Sequence, residues 1–146
     1  MKWLYVAMAI LGGIMAGIQT PINGALGKRI GGIEGALVSF LVGTVCLIVS
    51  LQFLGKGNLS GVFSAPKGLL MGGVFGAIYL TCSILSVPRV GVTAAISSIV
   101  LGQMLVGMFI DHFGFLGVER NPISLSRLVG ILLMMGGLYL VLRRNS

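Results

Sequence analysis

The chain reads as an all-α membrane protein with five transmembrane helices, and two observations predict this. Hydrophobic residues fill 56% of its 146 positions and charged residues only 9%, whereas a soluble domain carries about 25% charged residues. The apolar residues also gather into five runs, each close to the ~20 residues needed to cross a ~30 Å hydrocarbon core. Lipid offers backbone groups no partner, so such runs are helices; the alternation that a closed barrel needs is absent.

The same numbers exclude an ordinary cytosolic domain and a disordered chain, as does a mean hydropathy of +1.07. A net charge of +7 would suit nucleic acid, but the basic residues are scattered with no basic-aromatic patch, so no nucleic-acid partner is expected. The 24 glycines follow no three-residue period, which excludes collagen and fits membrane helices that pack closely. Cys46 and Cys82 sit inside apolar runs and form neither a disulfide framework nor a metal-ligand spacing, so no metal or cofactor is expected. One histidine, with no H-E-x-x-H and no serine-base constellation, argues against an enzyme.

We read residues 1–146 as a single five-span transmembrane domain, with spans at about 4–26, 35–54, 68–87, 92–110 and 123–142. Charged and turn residues separate them: Gly27-Lys28-Arg29, the stretch 55–67, Pro88-Arg89-Val90-Gly91, and the stretch 114–122. Internal duplication is not evident.

Span 1 follows Lys2, but it is long and lacks an A-x-A site, which argues against a cleaved signal peptide. Trp3 and Tyr5 suit the membrane interface. Gly12, Ala16, Gln19 and Asn23 are spaced 4, 3 and 4, so two amides share a face otherwise lined by small residues. Gln19 and Asn23 are therefore candidate substrate ligands, although amides also tie helices together. Pro21 removes a backbone donor. Two readings stand: a broken helix lining a cavity, or a helix that ends at Gln19 ahead of a turn.

Glu34 opens span 2, where a helix N-terminus stabilises a carboxylate; ion coupling is the alternative role. Ser39 and Thr44 in span 2 and Thr81 and Ser83 in span 3 can line a path, but hydroxyls in membrane helices often bond back to their own helix. Ser39 is carried forward as a candidate substrate ligand. So is Tyr79, which lies too deep in span 3 for an interface aromatic and either packs or lines a cavity. Gly13/Gly17 and Gly72/Gly76 are G-x-x-x-G pairs, expected to pack helices.

Gln103 sits mid-way along span 4, where an unpaired amide is costly. Its stripe neighbours Ile96, Ile99, Val106 and Ile110 are apolar. An interhelical hydrogen bond and substrate contact explain it equally well. Asp111-His112 ends span 4. Aspartate opposes the dipole there, so a basic residue should hold it, and the pair is a candidate for ion coupling. In span 5, Tyr139 suits an interface and Met134-Met135 fills gaps.

Five spans place the termini on opposite sides of the membrane. The N-terminal side then holds Lys2, Lys56, Lys67, Arg120 and Arg127, and the other side Lys28, Arg29, Arg89, Arg143 and Arg144. Orientation follows the excess of Lys and Arg, and here there is none. The expected consequence is insertion both ways up and pairing with an inverted copy, an antiparallel homodimer whose two-fold axis lies in the membrane plane.

Several stretches carry a resemblance. The run Gly17-Ile18-Gln19-Thr20-Pro21-Ile22-Asn23-Gly24-Ala25-Leu26-Gly27 resembles the first-span motif of the YdcZ-type family, a five-span branch of the drug/metabolite transporter superfamily related to small multidrug resistance exporters. Ser39-Phe40-Leu41-Val42-Gly43-Thr44 resembles its second-span motif. Gly102-Gln103, Asp111-His112-Phe113-Gly114 and Gly130-Ile131-Leu132-Leu133 are similar to later ones. The resemblance implies a bacterial inner-membrane protein that works as an antiparallel homodimer, with a sister subunit, or as a fused ten-span chain. The small multidrug exporters carry a glutamate in span 1; this chain has Gln19 there and no carboxylate. A neutral or anionic solute therefore fits better than a hydrophobic cation.

The expected function is a secondary transporter moving a small solute by alternating access in a dual-topology dimer. The alternatives are a small channel, which the isolated amides disfavour, and a non-transporting membrane subunit. Expected partners are the inverted copy or a sister subunit, the small-molecule substrate, and membrane lipid.

Overall fold

The computed structural model of the chain describes residues 2–143; Arg144, counted above, lies outside them. Five helices in the described residues are long and apolar enough to cross a membrane. They are α1 (Lys2–Ile30), α2 (Gly32–Leu54), α3 (Met71–Val90), α4 (Val92–Phe113) and α5 (Leu125–Arg143). Short 3-10 turns at Leu59–Phe63, Lys67–Leu70 and Phe115–Gly117 occupy the two longer connections.

Several element bounds differ from the sequence reading. Helix α1 runs through Pro21 to Ile30, so the stretch after Gln19 is neither a break nor a turn. The Thr20 hydroxyl donates to Ala16 O at 2.8 Å, adding a bond in the turn that Pro21 weakens. Hydrocarbon offers the freed backbone nothing better than to continue the helix. Lys28 and Arg29 close α1 and Arg89 closes α3, where cations complement the helix dipole. Each of those two connections is a single glycine: Gly31 at φ 106, ψ 152 and Gly91 at φ 85, ψ 163. Only glycine adopts such backbone without strain. Helix α5 starts at Leu125 rather than Ile123 because the Ser124 hydroxyl accepts from Arg127 N at 3.4 Å, as an N-cap does.

The chain divides into two compact units between Pro88 and Arg89. In the first, α1 and α2 meet close to the Gly31 turn. A Cβ on Gly35 would stand 3.2 Å from the Gly27 Cα. Ile84 of α3, 1% exposed, fills the notch beside Gly27 and Gly32, and joins Ala36 and Leu80 in a small core. Val87 lies on Gly24, 3.0 Å from the place a Cβ would take. The expected glycine pairs do not carry this packing. Gly13, Gly17 and Gly72 have nothing within 4 Å of an added Cβ, and Gly76 meets only the Phe40 ring. The helices approach most closely near their tight turn, so small residues matter there and not at mid-helix.

The contact between α1 and α3 is internally symmetric. The buried residues of α1 are Thr20, Asn23 and Gly24; those of α3 are Leu80, Ser83 and Ile84, each 60 positions on. The contacts Gly24–Val87 and Gly27–Ile84 exchange into one another under the same shift. Positions 60 apart on α1 and α3 thus take equivalent places in this contact, with bulky residues of α3 on glycines of α1. Each helix also ends at a positive-φ glycine.

The second unit pairs α4 with α5, burying Ile131 at 6% exposure. Helix α4 ends at Gly114, left-handed at φ 68, whose N–H bonds Ile110 O at 2.8 Å. The rings of Phe109, Phe113 and Phe115 cluster at that end. In both units most large apolar side chains face outward, which is the surface a bilayer covers.

Candidate functional site

The residue stripe Ser39, Phe40, Gly43, Thr44 and Leu47 recurs at helical spacing and forms one wall of a cavity of about 270 Å³ in the first unit. Gln19 from α1 and Gly76, Tyr79 and Leu80 from α3 complete it. Gly43 keeps the space open, since a Cβ there would meet nothing within 4 Å, whereas the Phe40 ring packs on Gly76.

Behind the wall lies Asn23, 5% exposed. The Ser39 hydroxyl reaches both Asn23 Oδ1 at 2.8 Å and Gly35 O at 2.9 Å. The Asn23 Nδ2 group is buried without a hydrogen-bond partner among the described residues. A buried donor left unpaired costs about 1–3 kcal/mol. Thr44 donates to Phe40 O and Thr81 to Ala77 O, both at 2.8 Å, the back-bonding common for hydroxyls in membrane helices.

Three of the five candidate substrate ligands, Gln19, Ser39 and Tyr79, line one cavity, and Asn23 is hydrogen-bonded to it through Ser39. Gln103 lies exposed on α4, in the second unit. Glu34 stands in the first turn of α2 with its carboxylate folded against the Gly31 Cα. The sequence reading overlooked Phe40, Gly43, Leu47 and Gly76, although the α2 stripe was visible in their spacing.

In the second unit, Asp111 Oδ2 pairs with Arg127 Nη1 at 3.1 Å, each side chain 35% exposed. The expected basic partner therefore comes from the first turn of α5 rather than from a loop. Asp111 sits at a helix C-terminus and Arg127 at an N-terminus, so each opposes its own dipole and pairing offsets both. His112 has separate partners: its Nδ1 accepts from Ile123 N at 3.2 Å and its carbonyl from Arg120 Nε at 3.1 Å. Asp111 O accepts from Asn121 N at 2.8 Å, so these contacts strap the connection onto the end of α4. The ion pair borders a second cavity, of about 320 Å³, with Met104, Gly107, Met108, Gly130 and Ile131. Arg127→Met is expected to lower stability by about 1–2 kcal/mol. The double variant with Asp111→Asn should lose less than the two single losses combined, as measured by thermal unfolding in detergent; simple additivity would show that the pair does not interact.

Five membrane-length helices define the class: a multi-pass membrane protein, here with an open cavity that carries polar groups at its wall. A family model described as "Putative inner membrane exporter, YdcZ" matches residues 4–140, and the chain belongs to that family. It is therefore a multi-pass inner-membrane protein with a transporter role, and the family is not a class of enzymes. The family name agrees with the drug/metabolite transporter relation read from the motifs. Comparison with curated proteins and with solved structures finds no match.

Proposed function

We propose that the chain is a secondary transporter that carries a small solute by alternating access, as an antiparallel dimer of identical chains inserted both ways up. The observation that carries the reading is the cavity of Gln19, Ser39 and Tyr79 backed by the unpaired donor of Asn23. Asn23 acts on the cavity through Ser39, whose hydroxyl lies 2.8 Å from Asn23 Oδ1 and which lines the wall. Gly43 leaves room for the solute. Glu34, Asp111 and His112 are the acidic and imidazole groups available for ion coupling. The equal division of basic residues between the two sides supports the inverted pair.

The test uses Gly57, which is exposed and has open space around it. In a Cys46→Ser/Cys82→Ser background, Gly57→Cys is treated in intact cells with an impermeant maleimide. Labelled and protected populations of comparable size are expected. Uniform labelling, or none, would overturn dual insertion. Solute exchange by the purified chain alone in liposomes is the matching expectation for transport, and its failure would favour a subunit that needs a partner.

A further inference from the structure

Resting on the reading of the first-unit cavity as the solute site, we infer that its solute is an uncharged aromatic ring bearing a hydrogen-bond donor. Three observations lead there, and the first is charge. The cavity lining includes no Asp, Glu, Lys, Arg or His. An ion entering the cavity would lose water and gain no counter-charge.

The second observation is the direction of the hydroxyl protons. Ser39 Oγ lies 2.8 Å from Asn23 Oδ1 and 2.9 Å from Gly35 O, so its single hydrogen is engaged by one of these two acceptors, and Thr44 Oγ1 donates to Phe40 O. Both oxygens therefore offer the cavity only lone pairs. These two oxygens accept hydrogen bonds, while the Gln19 amide and the Tyr79 hydroxyl both donate and accept; an anion still finds no counter-charge in the lining. A solute with N–H or O–H groups satisfies the two oxygens.

Shape is the third. The Phe40 and Tyr79 rings stand at the cavity together with side-chain-free backbone at Gly43 and Gly76. Flat ring walls beside glycine backbone suit another flat ring, packed offset or edge-on. A cation can gain from the ring faces, but no carboxylate among the lining residues compensates its desolvation, which places it behind the neutral ring.

Benzamide, benzoate and benzamidinium have nearly one shape and differ in charge at neutral pH. Equilibrium dialysis of each radiolabelled probe against the full chain in lipid nanodiscs tests the inference. Two variants accompany it: Gly43→Phe, which fills the cavity, and Thr44→Val, which removes one acceptor at almost constant volume. Benzamide is expected to bind about tenfold tighter than either ion, to lose binding in Gly43→Phe and to weaken in Thr44→Val. An ion bound as tightly as benzamide, and lost in Gly43→Phe, would overturn the substrate class and leave the cavity as the site. Binding indifferent to both variants would overturn the class and the site together. Absence of binding by all three probes would overturn the class alone, because liposome exchange tests transport separately.

Discussion

Asn23→Leu is expected to leave the protein at least as stable as the parent while cutting transport about tenfold or more, which corresponds to about 1.4 kcal/mol or more of lost solute or transition-state stabilisation. The side chain is 5% exposed and its Nδ2 has no partner among the described residues. Leucine has the same number and branching of side-chain heavy atoms and removes that unpaired donor, a gain of about 1 kcal/mol against the folded state. Ser39 loses one acceptor but keeps Gly35 O at 2.9 Å. Ser39→Ala behaves differently, because it leaves both atoms of the Asn23 amide without a partner and should destabilise. Thermal unfolding in detergent and uptake into liposomes read the two effects separately. Full transport by a stable Asn23→Leu protein would reduce the amide to a packing feature.

The second large effect is steric. A Cβ on Gly27 would overlap Ile84 Cγ2, and Ile84 is 1% exposed with its Cδ1 only 3.8 Å from where a Cβ on Gly35 would stand. It has no free direction in which to move. Gly27→Ala should therefore cost about 1–3 kcal/mol through overpacking. Ile84→Ala alone empties the notch. In lipid it forfeits contacts more than hydrophobic transfer, because the bilayer is as apolar as the core. The two together should restore part of the loss, with a coupling of about 1 kcal/mol or more. Strictly additive losses would mean that Gly27 and Ile84 do not share this socket.

The helix count and most span positions were legible because hydrocarbon thickness sets the length of an apolar run. The site was legible in part. Gln19, Ser39 and Tyr79 stood out as polar or aromatic groups at membrane depth, where each needs a reason. Phe40 and Gly43 did not, since an aromatic and a glycine are ordinary within a span. The Asn23–Ser39 bond joins positions 16 apart, a separation that no helical spacing encodes. The need of Asp111 for a basic partner was legible from its place at a helix C-terminus, but that the partner is Arg127, 16 positions on, follows only from the packing of α4 with α5.

The contact between α1 and α3 shows the same division. Its buried positions are 60 apart, yet Asn23 corresponds to Ser83 and Gly24 to Ile84. The paired contacts need unlike residues, because a bulky side chain on α3 requires a socket on α1, so their correspondence is not visible as similarity along the chain.

Sequence by itself determined the solvent of this protein, the number of its helices and the even distribution of its basic residues, since each depends on composition and order along one chain. Only the tertiary structure decided which glycines are sockets, which amide is left unpaired and which residues share a cavity. Those properties depend on distances between helices, and a pattern along one helix carries no information about the face that another helix presents to it.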